Sequence, residues 1–92
     1  MITAIVFVKA EVSRIPEVAE AIAALDNVSE VYSVTGSIDL VAIVRARELD
    51  DIAALVPEGI NKLDGVESTQ THLAFRAYSR HDLEAMFSLG EE

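Results

Sequence analysis

Few residues in this chain of 92 have the types and spacing to do chemistry, and those few point to recognition rather than turnover. The chain has no cysteine, which excludes a zinc ribbon and a thiol nucleophile, and its two histidines, His72 and His81, stand nine apart, so a solvated histidine is expected over a metal ligand. Neither histidine falls in a serine, histidine and acid constellation, and a nucleophile needs an adjacent base. The four glycines are too far apart for the G-x-G spacing that cradles phosphate. The expectation is therefore no catalytic residue, no metal and no cofactor.

Hydrogen-bonding groups remain. Asp39 opens an otherwise apolar strand, a setting in which aspartate is depleted. Its carboxylate serves either a bound molecule or the backbone of the hairpin it belongs to. Gly36 and Ser37 just before it suit a two-residue turn that wants glycine first, whether or not anything binds there. Thr69 and Thr71 share one face of a strand, as period-two alternation requires. They are either donors to a ligand or threonines chosen for strand propensity. His72 reads as a solvated strand histidine, and Arg76, Tyr78 and Arg80 as salt links or subunit contacts.

The elements that must hold these residues occur twice. With 38 subtracted from each position of the second half, Ile2, Ala4, Ile5, Val6 and Lys9 align with Leu40, Ala42, Ile43, Val44 and Arg47. Leu25, Asp26 and Val28 likewise align with Leu63, Asp64 and Val66. Two copies are too few for a solenoid, and two β-α-β units fit a split, ferredoxin-like sandwich. Strands are expected at about 2–9, 29–35, 38–47 and from 67 toward 78. Ser13 is a candidate N-cap for a first helix carrying Ile15, Val18, Ala19, Ile22 and Leu25 at helical spacing, with Asp26 and Asn27 ending it. A second helix begins near Asp50 or Asp51 and carries Leu49, Ile52, Val56, Ile60 and Leu63, with a break expected near Val56 because Pro57 follows. Ser79 with Asp82 makes a capping box for a short last helix bearing Leu83, Met86 and Phe87.

The first and third strands are apolar on both faces: Ile5, Phe7 and Ile43 project one way, Val6, Val8 and Val44 the other. The second and fourth carry Ser29, Glu30, Ser33, Gln70 and His72. The order 4-1-3-2 places the apolar pair centrally and the polar pair at the edges. Right-handed crossovers then put both helices on one face of the sheet. The other face would expose an apolar patch beyond what a monomer usually shows, so a second copy is expected to cover it, sheet against sheet.

Composition narrows the class further. Seven basic against 16 acidic side chains give a net charge of −9, which argues against polyanion binding driven by Lys and Arg. The chain is 51% apolar, yet its longest pure apolar runs are far short of the roughly 20 residues a membrane helix needs. No basic segment precedes the first apolar run. A soluble, cytoplasmic α+β domain is expected, with no direct contact to nucleic acid or membrane.

Within that frame, the run Val31-Tyr32-Ser33-Val34-Thr35-Gly36-Ser37-Ile38-Asp39-Leu40 resembles the hairpin of the Lrp/AsnC family effector (RAM) domain. Gly65-Val66-Glu67-Ser68-Thr69-Gln70-Thr71 resembles that family's Gly-Val-x-x-Thr-x-Thr at the start of the last strand. The resemblance covers about 5–78 and implies a ligand-binding RAM domain over 1–78, with 79–92 a C-terminal helix and acidic tail. Family members usually carry a helix-turn-helix ahead of this domain; here Met1 leads at once into the first strand, so a stand-alone effector domain is expected. The resemblance also implies homodimers of dimeric α/β-barrel type built through the sheets, and rings of such dimers. Small ligands, usually amino acids, would bind between dimers, and mixed assembly with full-length Lrp/AsnC regulators would modulate transcription. The ligand-binding residues it implies are Gly36, Ser37, Ile38, Asp39, Thr69 and Thr71, with the Asp39 carboxylate meeting an ammonium and the backbone near Gly36 and Ser37 holding a carboxylate. The family often has an aromatic residue where this chain has Ile38, which favours an apolar wall. Two other classes stay open: a small cofactor-free enzyme on the same frame, disfavoured by the absence of Trp and only 5% aromatics, and a purely structural oligomerisation domain.

Overall fold

The computed structural model describes residues 1–78 and Arg80. Its elements are β1 (Ile2–Ala10), α1 (Ile15–Ala23), β2 (Val28–Ser33), β3 (Leu40–Ala46), α2 (Leu49–Ala54) and β4 (Val66–Ala74). The sheet order is β2-β3-β1-β4, with every adjacent pair antiparallel. This is the expected ferredoxin-like α+β sandwich, with the apolar strands in the middle. The final helix expected from Ser79 and Asp82, and the tail after it, lie outside the described residues.

The two faces of the sheet divide as the alternation requires. Ala4, Val6, Val8 and Ala10 of β1 and Leu40, Ala42, Val44 and Ala46 of β3 are buried beneath the helices. Val18 and Ile22 of α1, Ile52 of α2 and Ile60 complete that core. The other face of the sheet carries Ile5, Phe7, Val41 and Ile43, all only half-buried, with no helix over them.

Local chemistry explains where the observed elements differ from expectation. Ser13 does not cap α1: it lies in a short 3-10 turn, Val12–Arg14, and its hydroxyl donates to Glu11 Oε1 at 3.4 Å. The N-cap is Arg14, with Pro16 in the first turn, where a missing N–H costs nothing. The second helix breaks as expected: α2 ends at Ala54 and continues as a π-helical turn, Leu55–Gly59, enclosing Pro57, and then a 3-10 turn, Ile60–Lys62. Leu49 is half-exposed rather than on the core stripe, because it is the first residue of α2. The regular part of β4 stops at Ala74 instead of running to Tyr78, since its partner β1 begins at Ile2 and Thr3 is already paired with Ala74.

The duplication extends to backbone detail. Asn27 and Gly65, 38 apart, both have positive φ, at 73° and 92°. The turns around them are closed by equivalent bonds, Val28 N–H to Leu25 O at 3.3 Å and Val66 N–H to Leu63 O at 3.2 Å. Immediately after, each edge strand carries an extra residue opposite its partner, Ser29 in β2 and Glu67 in β4. Such bulges bend and twist the strand that carries them.

Candidate functional site

Asp39 stands where β3 begins, and β1 fixes it there. Its backbone N–H donates to Val8 O at 3.0 Å, and its carboxylate Oδ2 accepts the Ala10 N–H at 2.8 Å. Ala10 lies beyond Val8 and Leu40, the last pair between β1 and β3, so the β3 backbone offers its N–H no ladder partner. The carboxylate therefore satisfies a donor past the end of that ladder, and the bond joins residues 29 apart in sequence. The backbone partner is in β1 and not in the hairpin that Asp39 itself belongs to.

That attachment reshapes the hairpin. Ser33 pairs with Leu40, and the Val34 N–H donates to Asp39 O at 3.0 Å, so the connection is an open loop over 34–39 and not the two-residue turn expected at Gly36 and Ser37. Asp39 is pulled toward β1, which leaves more chain to close than two residues could span. Gly36 has φ +108°, a conformation L side chains rarely adopt, and a Cβ there would meet nothing within 4 Å. Its need for glycine is conformational, as the sequence suggested, and the space beside it is open. The Lys9 ammonium donates to Ser37 O at 3.4 Å, an exposed contact that spacing did not reveal because the two residues lie 28 apart.

Thr69 and Thr71 lie in β4 opposite Val8 and Val6, and so share the helix-covered side of the sheet. Thr69 already has a partner, its Oγ1 donating to Asn61 Oδ1 at 2.6 Å. Thr71 is exposed. In register, Ser33, Leu40, Val8 and Thr69 form one row across the four strands, so the loop and the start of β4 occupy the same end of the sheet. Among the described residues no hydrogen bond joins the loop to either threonine. Two clefts of the single chain lie elsewhere, one bordered by Thr3, Arg45 and Phe75, the other by Leu25, Asp51 and Glu58. None of the six candidate residues lines either cleft.

The uncovered face of the sheet holds the rest of the polar chemistry. Glu30 accepts from the Tyr32 hydroxyl and from Arg45 Nη1, the latter at 3.3 Å. The Tyr32 hydroxyl, followed by the Arg45 guanidinium, holds the Glu30 carboxyl below the usual carboxylate range, and the same hydrogen bond raises the Tyr32 phenol above its ordinary value. His72 packs its ring edge-on against Phe7, with centroids 5.2 Å apart. Among the described residues no group of three or more acidic, cysteine or histidine side chains is placed to hold a metal ion. No helix among them is long and apolar enough to cross a membrane.

Comparison with known proteins bears on this arrangement. A family model described as the Lrp/AsnC ligand binding domain matches residues 3–83. An uncharacterised helix-turn-helix-type transcriptional regulator of Pyrococcus horikoshii, PH1692, is 39% identical over 72 residues, covering 78% of this chain and 48% of its own. The Bacillus subtilis regulator YugG is 36% identical over 84 residues, covering 88% and 50%. The chain thus spans about half the length of the curated relatives it matches. Among solved structures, TTHA0845 of Thermus thermophilus superposes with a TM-score of 0.81 at 51% identity, covering 87% of this chain and all of its own. The Neisseria meningitidis regulator NMB0573, solved as an L-Met complex, shares the fold at a TM-score of 0.77 and 14% identity, over 86% of this chain and 53% of its own.

Proposed function

This chain belongs to the Lrp/AsnC ligand-binding domain family, and on that premise we propose that it is a regulatory domain that binds an amino acid or similar zwitterion where copies of the chain meet. One observation carries the reading. The loop over 34–39 is tied to β1 by three contacts, yet it borders neither of the two clefts described above. A pinned loop facing open space is a half-site that a second copy can complete. Gly36, Ser37, Ile38 and Asp39 would come from one copy, and Thr69 and Thr71 from a neighbour. The uncovered apolar row of Ile5, Phe7, Val41 and Ile43 supports a dimer packed sheet against sheet.

In this reading Asp39 has two duties. Oδ2 holds the Ala10 N–H, and the remaining carboxylate lone pairs accept a ligand ammonium. Exposed backbone N–H groups of the loop near Gly36 and Ser37 take the ligand carboxylate, and Ile38 sets an apolar wall. A ligand that binds one assembly state more tightly shifts the population toward it, which is how such a domain would transmit a signal to full-length regulators in mixed assemblies. That the relatives are named as transcriptional regulators, and that one structural neighbour is complexed with L-Met, supports this class over an enzyme or a purely architectural domain.

The test is calorimetric titration of the assembled protein with the twenty standard amino acids, repeated on Asp39→Asn. Asparagine keeps an acceptor for Ala10 and removes the charge. The expected result is saturable binding of at least one amino acid, weakened about tenfold or more in the variant, as loss of a charge-assisted bond requires. Binding indifferent to Asp39→Asn would remove that residue from the site, and no binding by any amino acid would overturn the proposal.

A further inference from the structure

Asp39 is not the only charge at the loop over 34–39. The last pair of the β1–β3 ladder joins Val8 to Leu40, so the next residue along is Lys9 on one strand and Asp39 on the other. Opposite charges facing each other across strands attract. Here each is engaged by a backbone group instead. The Lys9 ammonium donates to Ser37 O at 3.4 Å, and Asp39 Oδ2 accepts the Ala10 N–H at 2.8 Å. Neither bond exhausts its group, since an ammonium has three donors and a carboxylate has a second oxygen.

The two charges hold the same short stretch of chain. Lys9 meets it at Ser37 and Asp39 ends it, so the two holding points are two residues apart, within about 7 Å along the backbone. That gap admits the head group of one α-amino acid, whose ammonium and carboxylate sit on a single carbon. Beside Ser37, the space that a Cβ on Gly36 would point into is open. The field of a chain of net charge −9 repels an anion, and Lys9 offsets that field at the loop. Both residues lie past the end of the ladder, beyond the apolar row of Ile5, Phe7, Val41 and Ile43 that a second copy is proposed to cover.

From this juxtaposition we infer that Lys9 makes the loop site specific for a free α-carboxylate. Its ammonium meets the ligand carboxylate alongside the loop N–H groups, while Asp39 takes the ligand ammonium. The site then reads both charges of a zwitterion and discriminates against amines that lack the acid. This inference deepens the role proposed above for the loop and rests on it.

The experiment is calorimetric titration of the assembled protein with the twenty standard L-amino acids and with the α-carboxamide of each. At about pH 6 both members of a pair carry the ammonium, and only the acid carries the carboxylate. The wild-type chain is expected to bind at least one amino acid about tenfold or more tightly than its carboxamide. Lys9→Gln keeps a donor for Ser37 O and removes the charge, so it should bring the pair near parity, whereas Lys9→Arg should preserve the preference. Asp39→Asn should weaken both members alike, because both present the ammonium. Lys9 is exposed, and a far-UV dichroism spectrum matching the parent identifies a folded variant. A Lys9 that only clamps the loop would lower both affinities in Lys9→Gln and leave their ratio unmoved, which would overturn the inference while the loop site stands. Parity of acid and carboxamide in the wild-type chain would overturn it without any variant. No binding by any amino acid would remove the loop site and this inference with it.

Discussion

At the scale of single residues, the informative contrast is between Asp39 and Glu30. Asp39 just precedes β3 and Glu30 lies within β2; Asp39 is half-buried and holds a backbone N–H, whereas Glu30 is exposed and held by side chains. Replacing Asp39 with alanine strands the Ala10 donor and releases the loop, so a destabilisation of about 1–3 kcal/mol is expected in denaturant unfolding, with Asp39→Asn costing clearly less. Glu30 makes a pH prediction whose sign is set by its depressed value. A carboxylate with a lower pKa folded than unfolded stabilises the fold above the unfolded value, and that contribution is lost as pH falls through the folded one. Carbon-detected NMR should therefore place the Glu30 midpoint below that of an ordinary glutamate, and Tyr32→Phe should move it upward. Tyr32 behaves in the opposite sense: its phenol is raised, so its contribution is present below the unfolded value and disappears as pH rises past the folded one.

At the scale of elements, the same turn is built twice with different residues. Asn27 tolerates the left-handed conformation; Gly65 has a further reason to be glycine. A Cβ at Gly65 would stand 2.8 Å from Val18 Cγ2 and 3.3 Å from Arg14 Cβ, and Gly65 O accepts the Glu11 N–H at 2.8 Å. Gly65→Ala combines left-handed strain with a collision against a fully buried valine on α1. A loss of about 2–4 kcal/mol is expected from thermal or denaturant unfolding, against less than about 1 kcal/mol for Asn27→Gly. Equal losses at the two sites would show that the collision with Val18 is relieved at no cost. The break at Pro57 belongs to this scale too: a proline supplies no N–H to the α pattern, and a π turn followed by a 3-10 turn carries Ile60 back into the core.

At the scale of the whole molecule, the question is what covers the second face of the sheet. Ile5, Phe7, Val41 and Ile43 form one contiguous row on the two central strands, flanked by the Glu30, Tyr32 and Arg45 network and by His72. An apolar centre with a polar rim is the usual anatomy of an interface. Sedimentation equilibrium at micromolar concentration should find a dimer or a multiple of it. Ile43→Glu should shift the population toward monomer while far-UV dichroism is retained, because Ile43 is not part of the helix-covered core. A wild-type chain that sediments as a monomer would remove the shared-site reading, since the loop over 34–39 would then have no neighbour to close it.

Much of this protein was legible from spacing alone. The continuous apolar runs of β1 and β3 marked them as the central strands, and period-two geometry sorted their side chains into two faces, but which face the helices cover was decided by the fold. The offset of 38 determined that the second half repeats the first, and the recurrence of Leu-Asp-x-Val brought with it a left-handed residue and a bulge in each half. Pro57 determined the end of α2 for want of a backbone donor. Tertiary structure alone decided the rest. The engagement of Asp39 by Ala10 and the contact of Lys9 with Ser37 both join residues far apart in the chain. Local periodicity carries no information about such pairs. They arise from strand register, and register is settled by the packing of the whole sheet.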